Sequence, residues 1–173
     1  MQWSKLKSHL FDFVDPELRK RIDFHLIKYR KLGDSTNEFL VYVDGVKIFS
    51  ASYSRHNIAT YVVTRWTGWQ AYDDGKEPYF LEETLNKREI HAPVDITSSI
   101  RTYFDLDPQI SLHSSDPILR ALAMIDKRIG RRTLEALEIS AHEHSLIWAL
   151  YRLRMESRGG SMHNLPSAPV QPN

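Results

Sequence analysis

Cysteine is absent from all 173 residues, which removes disulfides, thiolate nucleophiles, iron–sulfur clusters and thiolate zinc sites together. Glycine is scarce, at seven residues, and none of it forms a phosphate-cradling loop or a dinucleotide-binding fingerprint. The nucleophile elbow G-x-S-x-G and the zinc helix H-E-x-x-H are missing as well. Neither sign of charge dominates: 23 basic residues stand against 22 acidic ones, for a net charge of +1. Bulk attraction to nucleic acid or to an anionic membrane is thereby excluded, and only a local patch could supply it. No apolar run approaches the ~20 residues of a membrane helix, and the opening Met1-Gln2-Trp3-Ser4-Lys5 has no apolar signal core. A cytoplasmic protein with no membrane partner, no cofactor and no metal is the expectation.

What is present suits an ordinary folded chain. At 42% hydrophobic and 26% charged residues, the composition argues against global disorder. The length predicts one domain over 1–158, followed by a flexible tail over 159–173 with Pro166, Pro169 and Pro172 three residues apart. Trp3, Leu6, Leu10, Phe11, Phe13 and Val14 recur at helical spacing until Asp15-Pro16 stops the helix. Residues 22–30 alternate as a strand does. Asp44-Gly45 between two β-branched and aromatic arms then predicts a hairpin with a two-residue type I′ turn. Residues 57–65 read as a helix capped by Asn57, 77–88 as a short helix, and Pro93 with Asp95 opens another over 96–106. The fold class is α+β: an N-terminal helix and small antiparallel sheet with a β-hairpin, packed with a mostly helical C-terminal half.

Residues 115–158 carry the strongest pattern. Asp116-Pro117 is a helix start, and Ile118, Leu122, Ile125 and Ile129 predict one apolar stripe running through the basic run Lys127, Arg128, Arg131 and Arg132. Gly130 inside that helix would cost ~1 kcal/mol against alanine, and a close helix crossing is the expected reason for it. A second helix follows from Glu143, with Leu146, Ile147, Leu150 and Leu153 inward and Arg152, Arg154, Glu156 and Arg158 solvated.

The segments Trp3-Ser4-Lys5-Leu6-Lys7, Tyr29-Arg30, Asp44-Gly45, Asp126-Lys127-Arg128-Ile129-Gly130-Arg131-Arg132 and Tyr151-Arg152-Leu153-Arg154 resemble a small bacterial family of uncharacterised proteins. Its pattern is an Asp, a basic pair, a Gly and a second basic pair, then a helix ending in aromatic-x-x-Arg. The resemblance implies no activity, substrate or catalytic residue.

Two surfaces are candidates for binding. On one helix Arg128, Arg131 and Arg132 would share a face with Lys127 nearby, and guanidinium groups bind phosphate bidentately. Against that stands ordinary ion pairing, since Glu135 lies within a helical turn of both Arg131 and Arg132. The other candidate is Trp66 and Trp69 beside Arg65, an aromatic partner surface or the cover of a core edge. His142-Glu143-His144 is no metal site on a helix, because residues two apart diverge by about 200°; a loop and helix cap suit it better. The expected function is a non-enzymatic interaction or accessory protein whose partner is a protein or a second copy of the chain. A nucleic-acid-associated protein using the basic run, and a hydrolase without a sequence signature, are the alternatives.

Overall fold

Three antiparallel strands and the helices that cover one face of them fix where the polar residues converge. The computed structural model describes residues 2–28, 37–53, 55–56, 89–140 and 143–157. In chain order the elements are α1 (Trp3–Phe13), β1 (Ile22–Ile27), β2 (Glu38–Val43), β3 (Val46–Ser52), α2 (Pro93–Asp105), α3 (Pro108–Leu112), α4 (Pro117–Met124), α5 (Arg131–Glu135) and α6 (Ser145–Glu156). The α+β expectation holds. The helices expected over 57–65 and 77–88, and the tail over 159–173, lie outside the described residues.

The sheet has the order β1-β2-β3. Pairing of Phe24 with Val41, Leu26 with Phe39, Phe39 with Ala51 and Val41 with Phe49 puts these side chains on one face, because opposed residues share a side of the sheet. Asp44 at φ 50° and Gly45 at φ 79° make the expected type I′ turn. Arg21, just before β1, holds that turn twice. Its guanidinium donates to the Asp44 carboxylate at 2.6 and 2.9 Å, and its carbonyl accepts the Asp44 N–H at 2.7 Å.

Proline at the first turn starts three of these helices. The Asp107 and Asp116 carboxylates cap α3 and α4 by accepting backbone N–H groups at 2.8 and 2.7 Å. On α2, Ile96, Ile100 and Tyr103 recur at helical spacing and are buried. That helix packs on β2, β3, α1 and α4, while α4 packs chiefly on α6. Leu6, Leu10, Phe24, Val41, Ile100, Leu122 and Leu150 belong to one continuous apolar core.

One expectation fails. The helix that starts at Pro117 ends at Met124, and residues 126–130 are not helical. Two sets of partners, one local and one distant in sequence, compete with the helical ladder there. The Asp126 carboxylate accepts the Arg128 N–H at 2.7 Å, and the backbone around Asp126 pairs instead with the end of α1. Gly130 is not in a helix interior and makes no close crossing. It is the N-cap of α5, at φ −72° and ψ 151°, and a Cβ added there meets nothing within 4 Å.

The two glycines therefore predict opposite outcomes in chemical denaturation. Gly45→Ala lowers stability by about 1–2 kcal/mol, because its φ of 79° disfavours any Cβ although the space is open. Gly130→Ser raises stability by about 0.5–1 kcal/mol, through a gained cap and a less flexible unfolded chain.

Candidate functional site

Three charged groups of the described interior, Asp15, Asp126 and Arg154, gather at the junction of α1, α2, α4 and α6. After α1 the chain is extended, and Val14 pairs antiparallel with Asp126. The Asp15 N–H donates to the Ile125 carbonyl and the Lys127 N–H to the Phe13 carbonyl, both at 2.8 Å. This short clasp brings two carboxylates into the core, Asp15 and Asp126, each 1% exposed.

Each carboxylate is met by a cation. Asp126 accepts from the Tyr103 hydroxyl at 2.6 Å and from the Arg128 guanidinium at 2.7–3.1 Å. Burial, followed by the Asp126 hydrogen bond, pushes the Tyr103 phenol up, so it remains a protonated donor. The same carboxylate raises Arg128, whose guanidinium lies 4.4 Å over the Phe13 ring. Asp15 forms its ion pair with Arg154. Arg154 was expected in solvent from its place on the polar face of the last helix. It is 3% exposed, and it also donates to the Ile129 carbonyl at 3.2 Å. An arginine three residues after Tyr151 reaches inward because the clasp places a buried carboxylate in its path.

A second polar pair sits at the start of α6. The His91 and His144 Nε2 atoms are 3.0 Å apart, both rings are buried, and Phe49 packs against each. His144 is the helix cap expected of it: its Nδ1 accepts the Leu146 N–H at 3.2 Å. That bond places the ring proton on Nε2, which donates to His91. Among the described residues no group of three or more His, Cys, Asp or Glu side chains is placed to hold a metal. Nearby, the Glu89 carboxylate accepts from both the N–H and the hydroxyl of Ser145, adding a second cap to the same helix. No sequence motif marks this pairing, because His91 and His144 are 53 residues apart.

The basic run does not form a single face. Arg128 is turned onto Asp126 and Phe13, and Arg131 pairs with Glu135 at 2.7 Å, the helical ion pair foreseen from their spacing. Lys127 and Arg132 are exposed, one in the turn after α4 and the other on five-residue α5. Arg65, Trp66, Trp69 and His142 lie outside the described residues.

A model of the SF0329 protein family, an uncharacterised family, matches residues 2–155. The chain belongs to the SF0329 protein family. No curated protein and no solved structure matches it. In this SF0329 member, three of the residues that carried the resemblance have structural partners: Asp126 lies on the clasp and is paired by Arg128, and the Arg of aromatic-x-x-Arg is Arg154, the partner of Asp15. Among the described residues, no helix is long and apolar enough to cross a membrane.

Removing one buried partner leaves the other charged and dry. Arg154→Met is expected to cost about 3–5 kcal/mol in urea denaturation. The double variant Asp15→Asn with Arg154→Met should recover part of that loss, since no uncompensated charge remains. Acid should act on the histidine pair. Burial, then the neighbouring His144, holds His91 at about 4 against an ordinary 6.5, while Glu89, Asp95 and Asp116 oppose the shift. Burial lowers His144 as well. Above pH 6.5 both states are neutral. As pH falls from 6.5 to about 4 the unfolded chain gains a proton that the folded His91 refuses, so stability drops by about 3 kcal/mol. His91→Gln should remove the His91 share of that slope and leave the share of His144, when urea midpoints are compared at pH 7 and pH 4.5.

Proposed function

We propose that this SF0329 protein is a cytoplasmic, non-enzymatic interaction or accessory protein that acts by binding at its surface. One observation carries the reading. Among the described residues, the buried carboxylates and histidines are tied to partners inside the fold: Asp15 to Arg154, Asp126 to Tyr103 and Arg128, and His91 to His144. An acid or base that serves substrate must reach it, within hydrogen-bond distance or through one water. An open cleft among the described residues lies elsewhere, beside Trp3 and Arg101, and its described lining contains no carboxylate and no histidine. Such a surface can hold a partner without transforming it. The nucleic-acid alternative loses ground for a related reason, since Arg128 and Arg131 already have carboxylate partners.

Purification at low salt tests this proposal, with absorbance at 260 and 280 nm read alongside mass by light scattering. The expected result is protein free of nucleic acid, with a single defined mass. Bound nucleic acid that leaves as salt rises would overturn it in favour of phosphate contacts through Lys127 and Arg132, because such contacts release counterions.

A further inference from the structure

The cleft just mentioned opens between the first turns of α1 and α2 and the end of the sheet where β1 leaves and β2 enters. Its volume is about 620 Å³, within the range that holds a small organic molecule. Trp3, Leu6, Leu26 and Pro93 give it an apolar floor. Trp3 is fixed there by an edge-to-face contact with Phe39, the ring centroids 5.6 Å apart. Two cations stand at its rim, Lys28 after β1 and Arg101 on α2, both exposed. Arg101 lies on the same ridge of α2 as Val94 and Thr97, which also line the cleft, so helical spacing aims it along the opening. Asn37 and Tyr53 add hydrogen-bonding groups from the sheet side.

The decisive feature is the combination. Several other cations of the described surface sit beside carboxylates: Lys7 with Asp23, Arg21 with Asp44, Arg120 with Glu143 and Arg152 with Glu156. Here two cations border an apolar floor whose described lining holds no carboxylate. An apolar body fills such a floor, and a single negative group, planar or tetrahedral, meets the guanidinium and ammonium at its edge. The geometry points to a binding site for a small organic anion: an aromatic or aliphatic body carrying one carboxylate, sulfonate or phosphate. This rests on the surface-binding reading and gives it a ligand class.

The test uses the full chain and 8-anilinonaphthalene-1-sulfonate, an aromatic anion whose fluorescence reports apolar contact. N-phenyl-1-naphthylamine, a similar aromatic system without the charge, is titrated in parallel. Saturable binding of the sulfonate is expected, with amide shifts in a proton–nitrogen NMR spectrum centred on Trp3, Thr97 and Arg101. Reversing both rim charges, Lys28→Glu with Arg101→Glu, should weaken the sulfonate by about tenfold or more and leave the neutral amine unchanged. Both residues are exposed, so circular dichroism and the melting temperature should stay at wild-type values. Equal affinity of wild type and variant for the sulfonate would overturn the anion assignment. Shifts centred away from the cleft would overturn the site itself. Either failure leaves the purification result of the broader proposal standing, so the two can fail separately.

Discussion

Burying Asp15 obliges the chain to bring a cation to it, and much of the architecture follows from meeting that demand. A carboxylate removed from water without a partner costs several kcal/mol, so Arg154 must leave the solvent face of α6 and enter the core. Its second bond, to the Ile129 carbonyl, ties α6 to the turn after α4. The backbone clasp from Phe13 to Asp15 ties that turn to the end of α1. Asp126, on the other strand of the clasp, reaches α2 through Tyr103. Four helices separated widely in sequence are thus aligned by directional contacts. Apolar packing supplies most of the driving force, but it tolerates sliding, and hydrogen-bonded charges do not.

The same economy accounts for the arginines. Net charge near zero leaves a carboxylate available for most cations, and the fold brings many of them together, in the core as Asp15–Arg154 and at the surface as Arg131–Glu135. Surface pairs of this kind contribute only about 0–1 kcal/mol each. Their larger effect is to mask the cationic patch that the spelling Lys127-Arg128-Ile129-Gly130-Arg131-Arg132 suggests. Lys28 and Arg101 border a cleft whose described lining is otherwise apolar and neutral polar.

The two histidines belong to the structural side of this division. His144 finishes a helix with one nitrogen and meets His91 with the other, so each ring nitrogen it owns has a task inside the protein. Phe49 from β3 lies against both rings, which couples the start of α6 to the sheet. A neutral pair suits that apolar setting, and acid would place two like charges 3.0 Å apart within it.

Local chemistry made the first half of the fold readable. The Asp15-Pro16 stop, the alternation from Ile22, the Asp44-Gly45 turn and the Asp116-Pro117 start each act within a few residues, and all are found where the sequence places them. The caps at Asp116 and His144 were legible for the same reason, as was the Arg131–Glu135 pair. What failed was longer in range. Ile125 and Ile129 continue a helical stripe on paper, yet the chain leaves the helix because Phe13 and Asp15, more than 100 residues earlier, offer its backbone other partners. Arg154 sits among polar neighbours in the sequence and is buried because Asp15 waits across the core. The His91–His144 pair and the cleft of Trp3, Lys28 and Arg101 have no contiguous signature at all. By itself the sequence determined where the first helix stops, where the hairpin turns, where the helix after Asp116 starts and which of their faces are apolar, since these depend on neighbouring residues. Only the tertiary structure decided which charges are buried, which are paired and which remain to meet a ligand, because that depends on groups brought together across the fold.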